Sequence, residues 1–129
     1  AGLAPANDDP LRGSYLRWLF FAAGPVEAAV SAKALGLLAP AERSGMVGYG
    51  SFEQVVDTLE QVAADARPWL LGEQFSAADV YVGSQILWGQ MFKTLPERTA
   101  FAEYGQRLRE RAAWQRATAL DDALIPPRG

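Results

Sequence analysis

The chain has 129 residues, half of them apolar and with four Trp, enough for one domain with a real core and too apolar for intrinsic disorder. Its net charge of −3, from 12 basic and 15 acidic residues, argues against a nucleic-acid footprint. The absence of Cys and His excludes disulfides, thiolate nucleophiles, His-based acid–base pairs and zinc sites of the Cys/His kind; it also fits a cytoplasmic protein.

The longest strongly apolar run, Trp18 to Ala23, is far too short to cross a bilayer, and no signal-peptide pattern opens the chain. No segment alternates in the manner of a strand. Helix-period stripes account for most of the length.

The first helix is predicted to start at Asp9, an N-cap followed by Pro10 in the favoured first position. It runs to Ala23, where Gly24-Pro25 should bend or break it, since Pro25 lacks a donor and crowds the preceding turn. Helical character resumes from Val26 to about Leu35, with Gly36 as the C-cap. The apolar residues between Trp18 and Ala23 wrap most of the circumference. One face serves the domain's own core, and the rest implies a second contact: another domain, a second subunit or a ligand pocket. Residues 37–50, punctuated by Pro40, Gly45, Gly48 and Gly50, read as a loop.

The second long helix opens on a capping box formed by Ser51 and Gln54. Phe52, Val55, Val56, Leu59, Val62, Ala63 and Ala66 form one stripe, with Glu53, Asp57, Glu60 and Asp65 mainly opposite; Pro68 ends it. A short apolar link, Trp69-Leu70-Leu71-Gly72, leads to the most informative stretch of the chain. There Ser76 caps a helix, Asp79 reaches back to the Ser76 N–H, and Phe75 and Val80 stand where a hydrophobic staple would join them. The helix that follows, at about 77–92, carries no charge between Asp79 and Lys93, so it is expected in the middle of the protein. Leu95-Pro96 closes it. Thr99 is placed to cap a helix through Phe101, Tyr104 and Leu108, and a last helix spans about Ala112 to Leu124, stopped by Pro126-Pro127. The sum is an all-α bundle of five to six helices in a single domain, residues 1–129, with a central capped helix.

Candidate chemistry is sparse. Asp79 reads as a structural cap and not as a catalytic acid. Tyr15 and Tyr81 have nothing nearby in sequence to activate them. The pairs Asp8-Asp9 and Asp121-Asp122 fall short of the oxygen ligands a hard metal needs, so no metal site is assigned. The arginines, including Arg107, Arg109 and Arg111, are interleaved with acids or apolar residues and read as solvated helix faces.

Four segments resemble the C-terminal helical domain of bacterial-type glutathione S-transferases. Leu3-Ala4-Pro5 with Asp9-Pro10 is similar to the family's interdomain linker, which gives residues 1–9 that role. Tyr15 through Glu27 resembles its first long helix, and Trp69-Leu70-Leu71-Gly72-Glu73-Gln74-Phe75-Ser76-Ala77-Ala78-Asp79 matches its best-known signature in this domain. Ala100-Phe101 through Tyr104, with Trp114-Gln115-Arg116-Ala117, resembles its closing helices. The chain departs from the family in two places. Ala112 and Ala113 stand where Pro is common, so the last two helices are free to merge, and Glu27 stands where some bacterial members have His.

The resemblance implies a parent enzyme of detoxification that conjugates glutathione, its co-substrate, to small hydrophobic electrophiles. A thioredoxin-like N-terminal domain, absent from this chain, would hold the glutathione and supply the Ser, Tyr or Cys that stabilises its thiolate. Ala1 falls inside what resembles the linker, so the chain is expected to be inactive alone, with no catalytic residue of its own. By the same resemblance it contributes the apolar wall of the electrophile pocket and part of a homodimer interface. Phe20, Gly24 and Glu27, at helical spacings of four and three, and Trp88 are the candidate substrate-binding residues; Ser76 and Asp79 are the structural N-cap. No nucleic-acid or membrane partner is expected. The rival expectation is a non-catalytic helical interaction module, and a stand-alone ligand-binding bundle is a third.

Overall fold

A computed structural model describes residues 2–125, so the predicted stop at Pro126-Pro127 lies outside the described residues. The described chain forms six α-helices: α1 (Arg12–Phe21), α2 (Glu27–Ala34), α3 (Phe52–Asp65), α4 (Ala77–Met91), α5 (Thr99–Arg109) and α6 (Ala112–Leu124). A 3₁₀ segment, Ala41–Met46, interrupts the predicted loop, and two isolated β-bridges tie the Trp69–Gln74 link without making a strand. α1 packs on α4, α3 on α5, α4 on α5, α2 on α3, and α5 on α6. The main core gathers Val26 and Ala29, the α3 stripe from Phe52 to Val62, Val82 and Ile86 of α4, Leu95, and Phe101, Tyr104 and Leu108 of α5.

Local signals account for several helix ends. Asp9 Oδ1 accepts from the Leu11 N–H at 2.8 Å, and the Asp9 carbonyl accepts from Arg12, although the α-helix proper starts only at Arg12. Ser51 and Gln54 form the reciprocal capping box, with both bonds at 3.1 Å. Gly36 sits at φ +69° just past α2, where the Gly36 and Leu37 N–H groups return to the carbonyls of Lys33 and Ala32.

Four elements refine or correct the sequence reading. First, of the two outcomes expected at Gly24-Pro25, a bend or a break, the helix is not broken. A π-helical turn, Ala22–Val26, joins α1 to α2 and absorbs the missing donor of Pro25 by widening the turn. The extra residue rotates everything after it by roughly a quarter turn relative to α1. Second, Phe75 has partners the sequence reading did not name: it meets the Trp69 ring edge-on at 4.9 Å and lies under the Arg111 guanidinium, while Val80 is 49% exposed. Third, Thr99 is already inside α5, whose N-cap is Arg98 with no side-chain cap bond. Fourth, α5 and α6 do not merge. Arg111 turns to an extended ψ of 130°, and its side chain stacks on Phe75, which anchors the break between the helices.

α4 is central on one side only. Ala78, Val82, Gly83, Ile86 and Gly89 are buried, and the two glycines admit Leu108 and Leu95, whose side chains occupy the space a Cβ would need. The other side is also apolar, yet Val80, Trp88, Met91 and Phe92 are exposed. Absence of charge therefore reflects two apolar faces of which the described residues cover one.

Candidate functional site: an apolar groove beside the capped helix

The open side of α4 forms one wall of a groove of about 830 Å³. Ala77, Val80, Tyr81, Ser84 and Trp88 recur at helical spacing along that wall, and Leu19 of α1 and Glu27, the first residue of α2, face them. Leu3 closes one side. Its carbonyl accepts from the Ala77 N–H at 2.7 Å, so the segment ahead of α1 both lines the groove and satisfies a free donor at the start of α4. Arg12 holds the same segment by donating to the Pro5 carbonyl at 2.7 Å.

The groove is poor in reactive groups. Ser84 donates its hydroxyl to the Val80 carbonyl at 2.7 Å, an i−4 bond that leaves it without an activating base. Gln85 Nε2 donates to Glu27 Oε2 at 3.0 Å across the interface of α4 and α2. Among the described residues Glu27 is the only acidic side chain lining the groove, and none of the described lysines and arginines lines it. Such an arrangement suits holding and orienting an apolar molecule.

Of the sequence-predicted residues, the groove brings together Glu27 and Trp88. Phe20 and Gly24 are not among its lining residues, and Phe20 is 66% exposed. The π turn lies between Phe20 and Glu27, and its rotation removes the shared face that a regular helix would give them. Trp88 is 65% exposed and also borders a smaller hollow with Met91, Arg109 and Trp114. Leu3, Leu19, Val80 and Gln85 were not assigned to a binding site by the sequence reading, which gave Val80 to a helix staple and Leu3 to a linker. The α4 members share the Ala77–Trp88 spacing and could have been found by asking which side of an uncharged helix stays open; Leu3 and Leu19 carry no such signal. A separate depression between α3 and α5, lined by Glu60, Arg67, Glu103 and Arg107, shares no residue with the groove and carries charges of both signs.

The start of α4 is held by Asp79, which is fully buried. Its Oδ2 accepts from the Ser76 N–H at 2.9 Å and the Ser76 hydroxyl at 3.0 Å. Its Oδ1 accepts from the Leu70 N–H and the Tyr104 hydroxyl, both at 2.8 Å. The capping box is thus extended into a hub that ties the 69–72 link and α5 to the first turn of α4. Burial, and then the adjacent Asp79 carboxylate, push the Tyr104 phenol far above its ordinary value, against a smaller opposing effect of Arg107. The hub lies behind the groove wall and aligns it; none of its members lines the groove.

Comparisons with known proteins agree with this architecture. Residues 27–111 match the family described as glutathione S-transferase, C-terminal domain. The crystal structure of a glutathione transferase from Methylococcus capsulatus str. Bath superposes with a TM-score of 0.68 at 23% identity, over 95% of this chain and 60% of that one. The chain therefore spans less than two thirds of the length of that neighbour. No curated protein matches. On the family match, which covers the capped helix α4 and the hub that holds it, the chain belongs to the glutathione S-transferase C-terminal domain family.

Proposed function

We propose that this chain is the electrophile-binding helical domain of a cytoplasmic glutathione transferase. The carrying observation is the open groove on α4, whose size and apolar wall suit a small hydrophobic molecule. Glutathione would be the co-substrate, held by a thioredoxin-like domain that also provides the Ser, Tyr or Cys beside the thiol. The helical domain positions the electrophile for attack by that thiolate, so its contribution is orientation and exclusion of water. Trp88 and Glu27 are the residues assigned to ligand contact. Exposed Phe20 and Leu35, at the α1 and α2 ends, support a homodimer as the working form.

The test begins with the reading frame ahead of Ala1. A thioredoxin-like segment with a Ser, Tyr or Cys near its start, in a full-length product that conjugates glutathione to a generic aromatic electrophile, is the expected result. The 129-residue chain is expected to be inactive in the same assay. A full-length product without thiol-transfer activity would favour the non-catalytic interaction module, and activity of the chain alone would overturn the division of labour.

A further inference from the structure

We infer that the groove selects flat aromatic ligands that carry a positive charge and disfavours carboxylates of the same shape. This rests on the reading of the groove as a ligand pocket and adds the charge class of what enters it. Trp88 and Tyr81 present aromatic rings, Leu19 and Val80 present aliphatic surface, and Glu27 is the sole acidic side chain among the described residues of the lining. Among the described residues no basic side chain lines the groove to neutralise that carboxylate or to receive an anionic ligand.

Gln85 fixes the carboxylate by donating a single bond to Oε2, and a carboxylate accepts several more. A protonated amine on an aromatic body can therefore lie over an aromatic face and donate to Glu27 at the same time, each contact adding to the other. A carboxylate in the same place meets repulsion from Glu27 and finds no cation among the lining residues. A neutral analogue has only the apolar contacts.

Three probes of one shape test this: the 1-naphthylmethylammonium ion, 1-naphthalenemethanol and 1-naphthoate, titrated into the chain calorimetrically at low and at high salt. The cation is expected to bind about fivefold more tightly than the alcohol, the size of one exposed ion pair with a cation–π contact, and the carboxylate more weakly than either. The spread should narrow as salt rises. Glu27→Gln keeps the shape and should bring the three affinities within about twofold. Equal affinities in the parent chain, or a spread that survives Glu27→Gln, would overturn the inference while leaving the groove as a ligand site. Failure of all three to bind, or binding insensitive to Trp88→Ala, would overturn the pocket itself and the inference with it.

Discussion

Replacing Asp79 with Ala separates a simple helix cap from the buried hub described above. A cap lost to Ala costs about 0.5–2 kcal/mol. Here the carboxylate also serves the Leu70 N–H and the Tyr104 hydroxyl, and the residue is fully buried. Asp79→Ala would leave the Leu70 and Ser76 N–H groups and the Tyr104 hydroxyl without their acceptor, at about 1–3 kcal/mol for each fully buried group. Leu70 is only partly buried, so water can relieve its share, and removing a buried charge returns part of the desolvation cost. Set against the loss at the three orphaned donors, those reliefs leave a net loss of about 3–5 kcal/mol. That is a large share of the roughly 5–15 kcal/mol that stabilises a domain. Tyr104→Phe removes one bond to a charged acceptor and should cost about 1.5–3 kcal/mol. In the double variant the Asp79→Ala cost should shrink by about 1–2 kcal/mol, because the orphaned hydroxyl is gone. Urea unfolding followed by circular dichroism reads all four corners of the cycle. An Asp79→Ala loss below about 2 kcal/mol with no coupling to Tyr104 would refute the hub and restore the plain cap.

The remaining expectations use other parts of the fold. Tyr104 holds its proton in the native state above the pH at which an unfolded tyrosine releases it. Its stabilising contribution is therefore complete below about pH 10 and declines above it, by about 1.4 kcal/mol per pH unit. Alkaline unfolding curves of Tyr104→Phe should lack that component, and identical slopes in the two proteins would count against it. Gly89→Ala gains about 1 kcal/mol of helix propensity but drives a methyl into the buried Leu95 side chain, so a net loss of about 1 kcal/mol is expected in chemical denaturation. Gly13→Ala, with open space around its Cβ in the first turn of α1, should stabilise by about 0.5–1 kcal/mol, and a loss there would contradict the exposed placement of Gly13. Trp88→Ala should leave the melting temperature nearly unchanged, since the side chain is mostly exposed, while raising KM of the full-length enzyme for aromatic electrophiles about tenfold. The chain should self-associate as concentration rises in light scattering, and Phe20→Ser with Leu35→Gln should reduce this; a monomer at all concentrations would speak against an interface on that face.

How much could be read in advance follows from the range of each interaction. The helix spans, the capping box at Ser51, the reach-back of Asp79 to Ser76 and the C-cap at Gly36 were legible because each is satisfied within a few residues. Their partners lie at spacings fixed by helix geometry. The stripe from Phe52 to Val62 was legible for the same reason: one periodic face meets a core whatever supplies the other side. Local spacing failed where a residue's partner comes from elsewhere in the chain. Phe75 meets Trp69 and Arg111, and Asp79 turns its second oxygen to Tyr104. The face of Phe20 and Glu27 was lost in the π turn, whose widened geometry changes the phase that the spacing argument assumed. Periodicity could identify α4 as uncharged after Asp79, but only the packing of α1 and α5 against it decided which side is covered. The groove belongs wholly to that second kind of information. Leu3, Leu19, Glu27 and Trp88 are far apart in sequence, and burial has no direction until the helices are placed, so their meeting is a property of the folded chain.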